Sequence, residues 1–289
     1  MIPSGTPAPS FQVDNRVQVI DNKQYSTIIG SSRMTTPPDD DWQTKALANF
    51  SFEIVETRGE DALAKWEELK TAGRGVPVVV GNLEGVLNPF CPGYYEKLKP
   101  VQETIAAASA IRFPQDLIKM RRDQDVAAWE GLRKLGALDG IEDEETEECE
   151  PPLGEWPASP SRAPGLSAAY EILTHRPLPK VHIVLVPTDD PTTVPAHLQW
   201  GNWNACPAPE YHVAALRHWR EHYGAELVGL DMDVMNLRVA RKPATRDEAL
   251  ELARVQHAYC NDIVDQGTYS LRALATELMA HNWWYFWWD

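Results

Sequence analysis

Apolar and polar positions along the chain fall into patterns that predict an ordered series of strands and helices. "FSFEIVE" (50–56) alternates with period two and places Phe50, Phe52 and Ile54 on one side of a strand. "DALAKWEELKTAG" (61–73) carries a helical stripe of Ala62, Leu63, Trp66 and Leu69 and stops at Gly73. "VPVVVG" (76–81) is a short apolar strand, and "LIKMRRDQDVAAWEGLRKLG" (117–136) is a helix. "VHIVLVP" (181–187) is apolar at both alternating sets of positions, the signature of a strand covered on two faces. "PEYHVAALRHWREHYG" (209–224) begins with Pro and ends with Gly, and His212, Leu216, Trp219 and Tyr223 share one face. "AELVGL" (225–230) and "MNLRVA" (235–240) form a hairpin through "DMDV", with Met235, Leu237 and Val239 inward and Asn236 and Arg238 outward. Thr245 and Glu248 open the next helix as a capping box, with Ala249, Leu252, Ala253, Gln256 and Cys260 on its buried side. In 270–281 the stripe is Leu271, Leu274, Ala275, Leu278 and Met279.

That last helix runs through Asn282 into "WWYFWWD", six aromatic residues and a final Asp289. Aromatic side chains suit a pleated, packed surface. A strand here directs Trp283, Tyr285 and Trp287 one way and Trp284, Phe286 and Trp288 the other. Full burial of one such ring stabilises by roughly 1.5–3 kcal/mol, so six rings left in water would forgo a large part of the fold's stability. The expectation is a strand covered on both faces, with acceptors for its indole N–H groups.

The fold class that follows is mixed α+β or α/β. One β-sheet includes 76–80, 181–186, 225–230, 235–240 and 283–288, with helices packed on it and the C-terminal aromatic strand buried. Residues 1–12 are rich in Pro, Ser and Gly and read as loose. A hairpin is expected from 17–20 and 25–30, and "TTPPDDD" (35–41) breaks regular structure. The stretch 142–165 joins an acidic run to five prolines and reads as a linker or long loop. The chain therefore divides into a loose or partly β segment (1–49), an α/β part (50–141), that linker, and an α+β C-terminal domain (166–289).

Composition narrows the partners. With 289 residues, 43% of them hydrophobic, the chain can bury a substantial core. A net charge of −15 disfavours nucleic acid and anionic membrane and favours a protein partner with a basic surface. No apolar run approaches the ~20 residues that a membrane span needs. The start lacks the pattern of a secretory signal. Cys91, Cys149, Cys206 and Cys260 are far apart without a CxxC, which reads as reduced thiols and a cytoplasmic location.

Four constellations could carry chemistry. In "HWREH", His218 and His222 stand at i and i+4 with Glu221 between them. This suits zinc with a general base, with Glu277 or Asp289 as a third ligand, but the neighbouring Arg217 and Arg220 disfavour a dication and suggest a solvated flank. Cys206 in "NWNACPAP" lies near a helix start. There it would be a nucleophile activated by His257 or His197, or else a small buried cysteine. Trp200, Asn202, Trp203 and Asn204 form either a binding platform or a core plug. The pairs Asp189–Asp190 and Asp231/Asp233 suit Mg²⁺ or, more simply, turn chemistry. Phosphate-loop, dinucleotide-binding, nucleophile-elbow and EF-hand patterns are absent, so no cofactor is expected.

The run "HVAALRHWREHYGAELVGL", then "LRVARKPATRDEALELARVQHAYCNDIVDQG", then "WWYFWWD", resembles a bacterial family known as domain of unknown function 4253. "LQWGNWNACPAPEYH" is similar to the same family's Asn-Cys-Pro segment. The resemblance is firm over 181–289, and it brings no assigned catalytic residue. The functional expectation is a non-enzymatic protein-binding module, one version being a neutraliser of a bacterial toxin. The alternative is a hydrolase using Cys206 or a metal on His218 and His222.

Overall fold

Six strands form one sheet in the order β1-β3-β2-β4-β5-β6 in a computed structural model that describes residues 41–92, 95–135, 151–161 and 163–289. The expected hairpin at 17–20 and 25–30, the loose 1–12, Cys149 and the acidic half of 142–165 lie outside these residues. The strands are β1 (Glu53–Thr57), β2 (Val76–Gly81), β3 (Val181–Val186), β4 (Glu226–Leu230), β5 (Val234–Arg238) and β6 (Trp283–Trp287). β3 is buried at all six positions and pairs antiparallel with β1 and β2, which accounts for its unbroken apolar run. β2 pairs parallel with β4 through Val79 and Gly229, and β4, β5 and β6 form an antiparallel meander. The sheet is mixed, and strands from before and after 142–165 share it.

Eight helices concern the site: α1 (Trp42–Asn49), α2 (Ala62–Ala72), α3 (Glu84–Leu87), α4 (Val101–Ala110), α5 (Gln115–Lys134), α6 (Val194–Leu198), α7 (Pro209–Tyr223) and α8 (Arg246–Tyr259). A ninth, α9 (Leu271–Ala280), leads into β6. One face of the sheet carries the larger core, in which Val78, Val80, Val184, Leu227, Met235 and Leu237 meet α7, α8 and α9. The other face is covered by α2, through Trp66 and Leu69, and by the turn Ser167–Ala169.

That second cover changes one expectation. Asn236 does not face water. It is fully buried, its Oδ1 accepting from Ala168 N at 3.1 Å and its Nδ2 donating to Ser167 Oγ at 2.8 Å. A buried amide is tolerated because each of those groups is matched. Leu63 also departs from its predicted stripe: it is 37% exposed, because Ala62, Trp66 and Leu69 already fill the face at i, i+4 and i+7. Phe50 and Phe52 precede β1 instead of extending it, and they pack edge-on with Phe90 at 5.1 and 5.9 Å. At α8, Thr245 Oγ1 accepts from Glu248 N at 3.2 Å, but Glu248 reaches one residue further back than a capping box does, to Ala244 N at 2.7 Å. α2 and α7 end, as read, at left-handed Gly73 and Gly224.

The aromatic terminus is a strand, and its two faces differ. Trp284, Phe286 and Trp288 are 2%, 0% and 1% exposed, whereas Trp283, Tyr285 and Trp287 are only partly buried. The expectation of equal cover fails because β6 lies at the edge of the sheet, where Trp283 only partly reaches the cluster around Trp66 that covers the second face. The buried face closes on Trp219 of α7, which stacks on Phe286 (5.3 Å, 8°) and meets Trp284, Tyr259 and Phe113 edge-on at 5.7, 4.9 and 5.3 Å. Trp200 and Trp288 find carbonyl acceptors, but the N–H groups of Trp219 and Trp284 have none among the described residues.

The described part of the proline-rich stretch has no regular structure, yet it is tied down. Pro152 O and Leu153 O accept from Leu271 N and Arg272 N, both at 3.0 Å, and so cap the start of α9. Trp156 lies against the Arg246 and Arg272 guanidinium groups at 4.7 and 6.0 Å. No helix among the described residues is long and apolar enough to cross a membrane.

The unequal faces of β6 set a test. Phe286→Ala is expected to cost about 3–5 kcal/mol in urea unfolding, and Trp283→Ala distinctly less because it opens no closed cavity. Equal losses would contradict the unequal burial.

Candidate functional site

Three segments meet beyond the carboxyl end of β4: the loop after α6 (199–208), the turn Asp231–Asp233, and the end of β6. The loop is tightly wound. Gln199, Gly201, Asn202 and Asn204 all have positive φ (51°, 115°, 70° and 44°), a conformation asparagine tolerates better than most residues. Gly201 is required there, since a Cβ would stand 2.3 Å from Pro207 O and 2.7 Å from His212 Nε2. The loop closes on itself through Asn202 N to Pro207 O (2.8 Å) and Cys206 N to Trp203 O (2.7 Å). Trp200 and Trp203 divide the two roles weighed for them. Trp200 is buried and donates from Nε1 to Asp231 O at 2.7 Å. Trp203 packs edge-on against it at 4.9 Å and remains partly exposed between the exposed Asn202 and Asn204.

The turn gathers carboxylates. Asp231 Oδ1 accepts from Met232 N at 2.8 Å, and Gly81 passes so close that a Cβ would lie 2.5 Å from Asp231 Oδ2. Burial raises the Asp231 pKa to about 7, with the Asp233 charge adding to the shift. Burial also raises Asp233, opposed by Trp287 Nε1, which donates to its Oδ2 at 3.1 Å. Trp288 N donates to Asp233 O at 3.1 Å, and Asp289 N donates to the buried Asp262 Oδ2 at 3.0 Å. Asp231, Asp233 and Asp289 thus lie near one another with the partly exposed Trp287 bonded to Asp233, and Trp203 is joined to Asp231 through Trp200. No group of three His, Cys, Asp or Glu side chains able to hold a metal occurs among the described residues, here or elsewhere. Asp190, at the opposite end of the sheet, follows turn chemistry: its Oδ1 accepts from Thr192 N and Oγ1 at 3.0 and 2.7 Å.

Cys206 lies two residues before Ala208, the N-cap of α7, and not at the cap itself. It is 5% exposed, and burial pushes its pKa well up, which keeps the thiol protonated. Neither His257 nor His197 is its neighbour. The nearby imidazole is that of His212, with Nε2 at 3.4 Å, and its Nδ1 bonds the Tyr259 hydroxyl. His257 pairs with Asp265 at 3.2 Å, and His197 is half-buried with its pKa lowered by desolvation. Arg121 of α5 donates to Ala258 O and Tyr259 O at 3.0 and 3.1 Å and to Ala205 O, clipping the end of α8 to the loop. In sequence Arg121 looks like an ordinary charged helix position. Only the buried stripe of α7 pointed toward His212.

His218 and His222 do share a face, with rings stacked at 4.1 Å. His222 Nδ1 donates to His218 O at 2.8 Å, and His218 packs on Phe113 at 5.3 Å, with burial first and the His222 charge second lowering its pKa. Glu221 is exposed. Glu277, named as a third zinc ligand, instead accepts from Ser161 N at 2.7 Å and pairs with His281 at 3.2 Å, while Asp289 lies on the acidic surface described above.

These environments fix two outcomes. Burial lowers the His212 pKa from 6.5 to about 3, so its contribution to stability is complete above 6.5 and is lost as the pH falls toward 3. Asp231, raised from 3.8 to about 7, contributes with the opposite sign: its term is present below 3.8 and lost as the pH rises through 7. Asp231→Asn is therefore expected to stabilise the chain above neutral pH. It should also steepen the rise of Tm with pH between 3.8 and 6.5; a Tm profile parallel to that of the unmodified chain would refute the assignment. Cys91, Cys206 and Cys260, all buried, should react with a thiol reagent only on unfolding, and rapid labelling of native Cys206 would overturn its buried, protonated state.

No curated protein and no solved structure matches the chain. Residues 182–289, which run from β3 to the terminal Asp289 and contain this whole surface apart from Gly81, match the model of the family described as Domain of unknown function (DUF4253), the family that the aromatic terminus and the "YGAELVGL" strand resemble.

Proposed function

We propose that the chain is a non-enzymatic binding protein that takes a basic protein partner at the surface made by Asp231, Asp233, Asp289, Trp203 and Trp287. The observation that carries this reading is the meeting of three carboxylates at one end of the sheet, with the partly exposed Trp287 bonded to Asp233 and Trp203 joined to Asp231 through Trp200. Lysine or arginine side chains gain there from both charge and indole faces, a combination worth more than either alone when water is partly excluded. The net charge of −15 steers such a partner toward the chain. A cytoplasmic role as neutraliser of a basic toxin, in the manner of an immunity protein, is one form this takes. The buried, protonated Cys206 and the self-bonded His218–His222 pair give the hydrolase alternative no comparable support.

The test is calorimetric titration of the full chain with a short arginine-rich peptide at low and moderate salt. Binding should weaken as salt rises, and Asp233→Asn with Asp289→Asn should weaken it about tenfold or more, the equivalent of about 1.4 kcal/mol. Absence of binding at low salt, or affinity indifferent to the two substitutions, would sink the proposal.

A further inference from the structure

The two edges of the sheet are built differently. β1 carries Glu53 and Glu56 on its exposed positions, paired with Arg74 at 3.0 Å and Lys180 at 3.1 Å. Charges of this kind discourage a further strand from adding. β6 holds no charged residue, proline or bulge from Trp283 to Trp287, and its register with β5 is unbroken.

The backbone of β6 alternates in a way the register defines. Val239 N donates to Asn282 O and Trp288 N donates to Asp233 O, so the hydrogen-bonded pairs with β5 fall at Asn282, Trp284, Phe286 and Trp288. The N–H and C=O groups of Trp283, Tyr285 and Trp287 therefore point away from β5. Among the described residues, just one of these groups has a partner: Trp287 O accepts from Cys260 Sγ at 2.9 Å. The side chains of the same three residues are the partly exposed ones. A row of unpaired backbone groups and a stripe of aromatic surface thus coincide, with Asp233 and Asp289 at one end.

We propose that this edge receives an extended basic segment of the partner protein as an added strand. The inference rests on the binding function proposed above and gives its mode. Main-chain hydrogen bonds to Trp283 and Tyr285 supply affinity. Alternate side chains of the incoming strand lie over Trp283, Tyr285 and Trp287, where the apolar stems of lysine and arginine pack on rings and their charges reach Asp233 and Asp289. Charge selects this occupant over a second copy of the chain, since edge-to-edge pairing would bring together two chains that each carry a net charge of −15.

The experiment follows amide hydrogen exchange in the full chain, alone and with a short peptide of alternating lysine and valine. A second peptide has the same sequence with N-methyl groups on alternate backbone nitrogens. In the free chain the Trp283 and Tyr285 amides should exchange quickly, and the unmethylated peptide should protect them. The methylated peptide, and the unmethylated peptide with Tyr285→Pro, should each bind about tenfold more weakly, because each loses edge hydrogen bonds. Proline at 285 removes no bond to β5; if that variant nevertheless fails to fold, the exchange data and the methylated peptide decide. Equal affinity for the two peptides would overturn strand addition while leaving the acidic binding surface intact. Slow exchange of both amides in the free chain, or sedimentation as a dimer, would show the edge already occupied and overturn it as well. Failure of every basic peptide to bind would remove both proposals.

Discussion

The contact of Trp219 with the even-numbered face of β6 is the packing on which the rest of the molecule depends. Phe286 stacks on that indole, and Trp284, Tyr259 and Phe113 close around its edges. A strand has a side-chain period of two, so fixing Phe286 against α7 fixes every other residue of β6. Trp283, Tyr285 and Trp287 must then emerge on the opposite face, and Trp288 must turn inward against Trp200 and His212 at 5.5 and 5.7 Å. Trp200 in turn holds the Asp231 carbonyl, so one helix-to-strand contact sets the loop, the acidic turn and the free edge together.

Polar groups in this region show what such packing demands. Asn236, Asp262 and Arg121 are matched by named partners, and each ties distant parts of the chain. The indole N–H groups of Trp219 and Trp284 are not matched among the described residues. Leaving a buried donor unpaired costs on the order of 1–3 kcal/mol, which a ring of this size offsets through buried area alone. Shape complementarity at the aromatic centre outranks hydrogen-bond satisfaction there, whereas at the turn and the loop the hydrogen bonds set the geometry.

Much of the architecture was legible because it is local. The unbroken apolar run of 181–186, the hairpin of β4 and β5, the Pro-to-Gly span of α7 and the cap at Thr245 depend on neighbours a few residues away, and all appear where the pattern put them. What escaped depends on residues far apart in sequence. Nothing around Asn236 announces that Ser167 and Ala168 will cover it. Nothing around Arg121 announces three carbonyls from two other segments. Of the site, Trp203, Asn202, Asn204 and the Asp231/Asp233 turn were visible as composition. The meeting of that turn with Trp287 and Asp289 required the order of the strands, which periodicity does not encode. The placement of β6 at an edge, which leaves half of its rings partly exposed, escaped for the same reason.

Strand order also bears on how the molecule is made. β2 belongs to the first third of the chain yet lies between β3 and β4, both of which are synthesised long after it. As the chain leaves the ribosome, β2 must wait with the backbone groups of both edges unpaired until its neighbours arrive. Contacts that close so late are slow to form and leave sticky intermediates exposed in the meantime. Pro77 within β2, whose carbonyl is taken by the Trp66 indole at 2.7 Å, gives the nascent α2–β2 unit one bond it can make without waiting. A holding chaperone would find its natural client in that interval, in the stretch Val76–Gly81, and not in β6, whose sheet neighbour β5 precedes it in the chain.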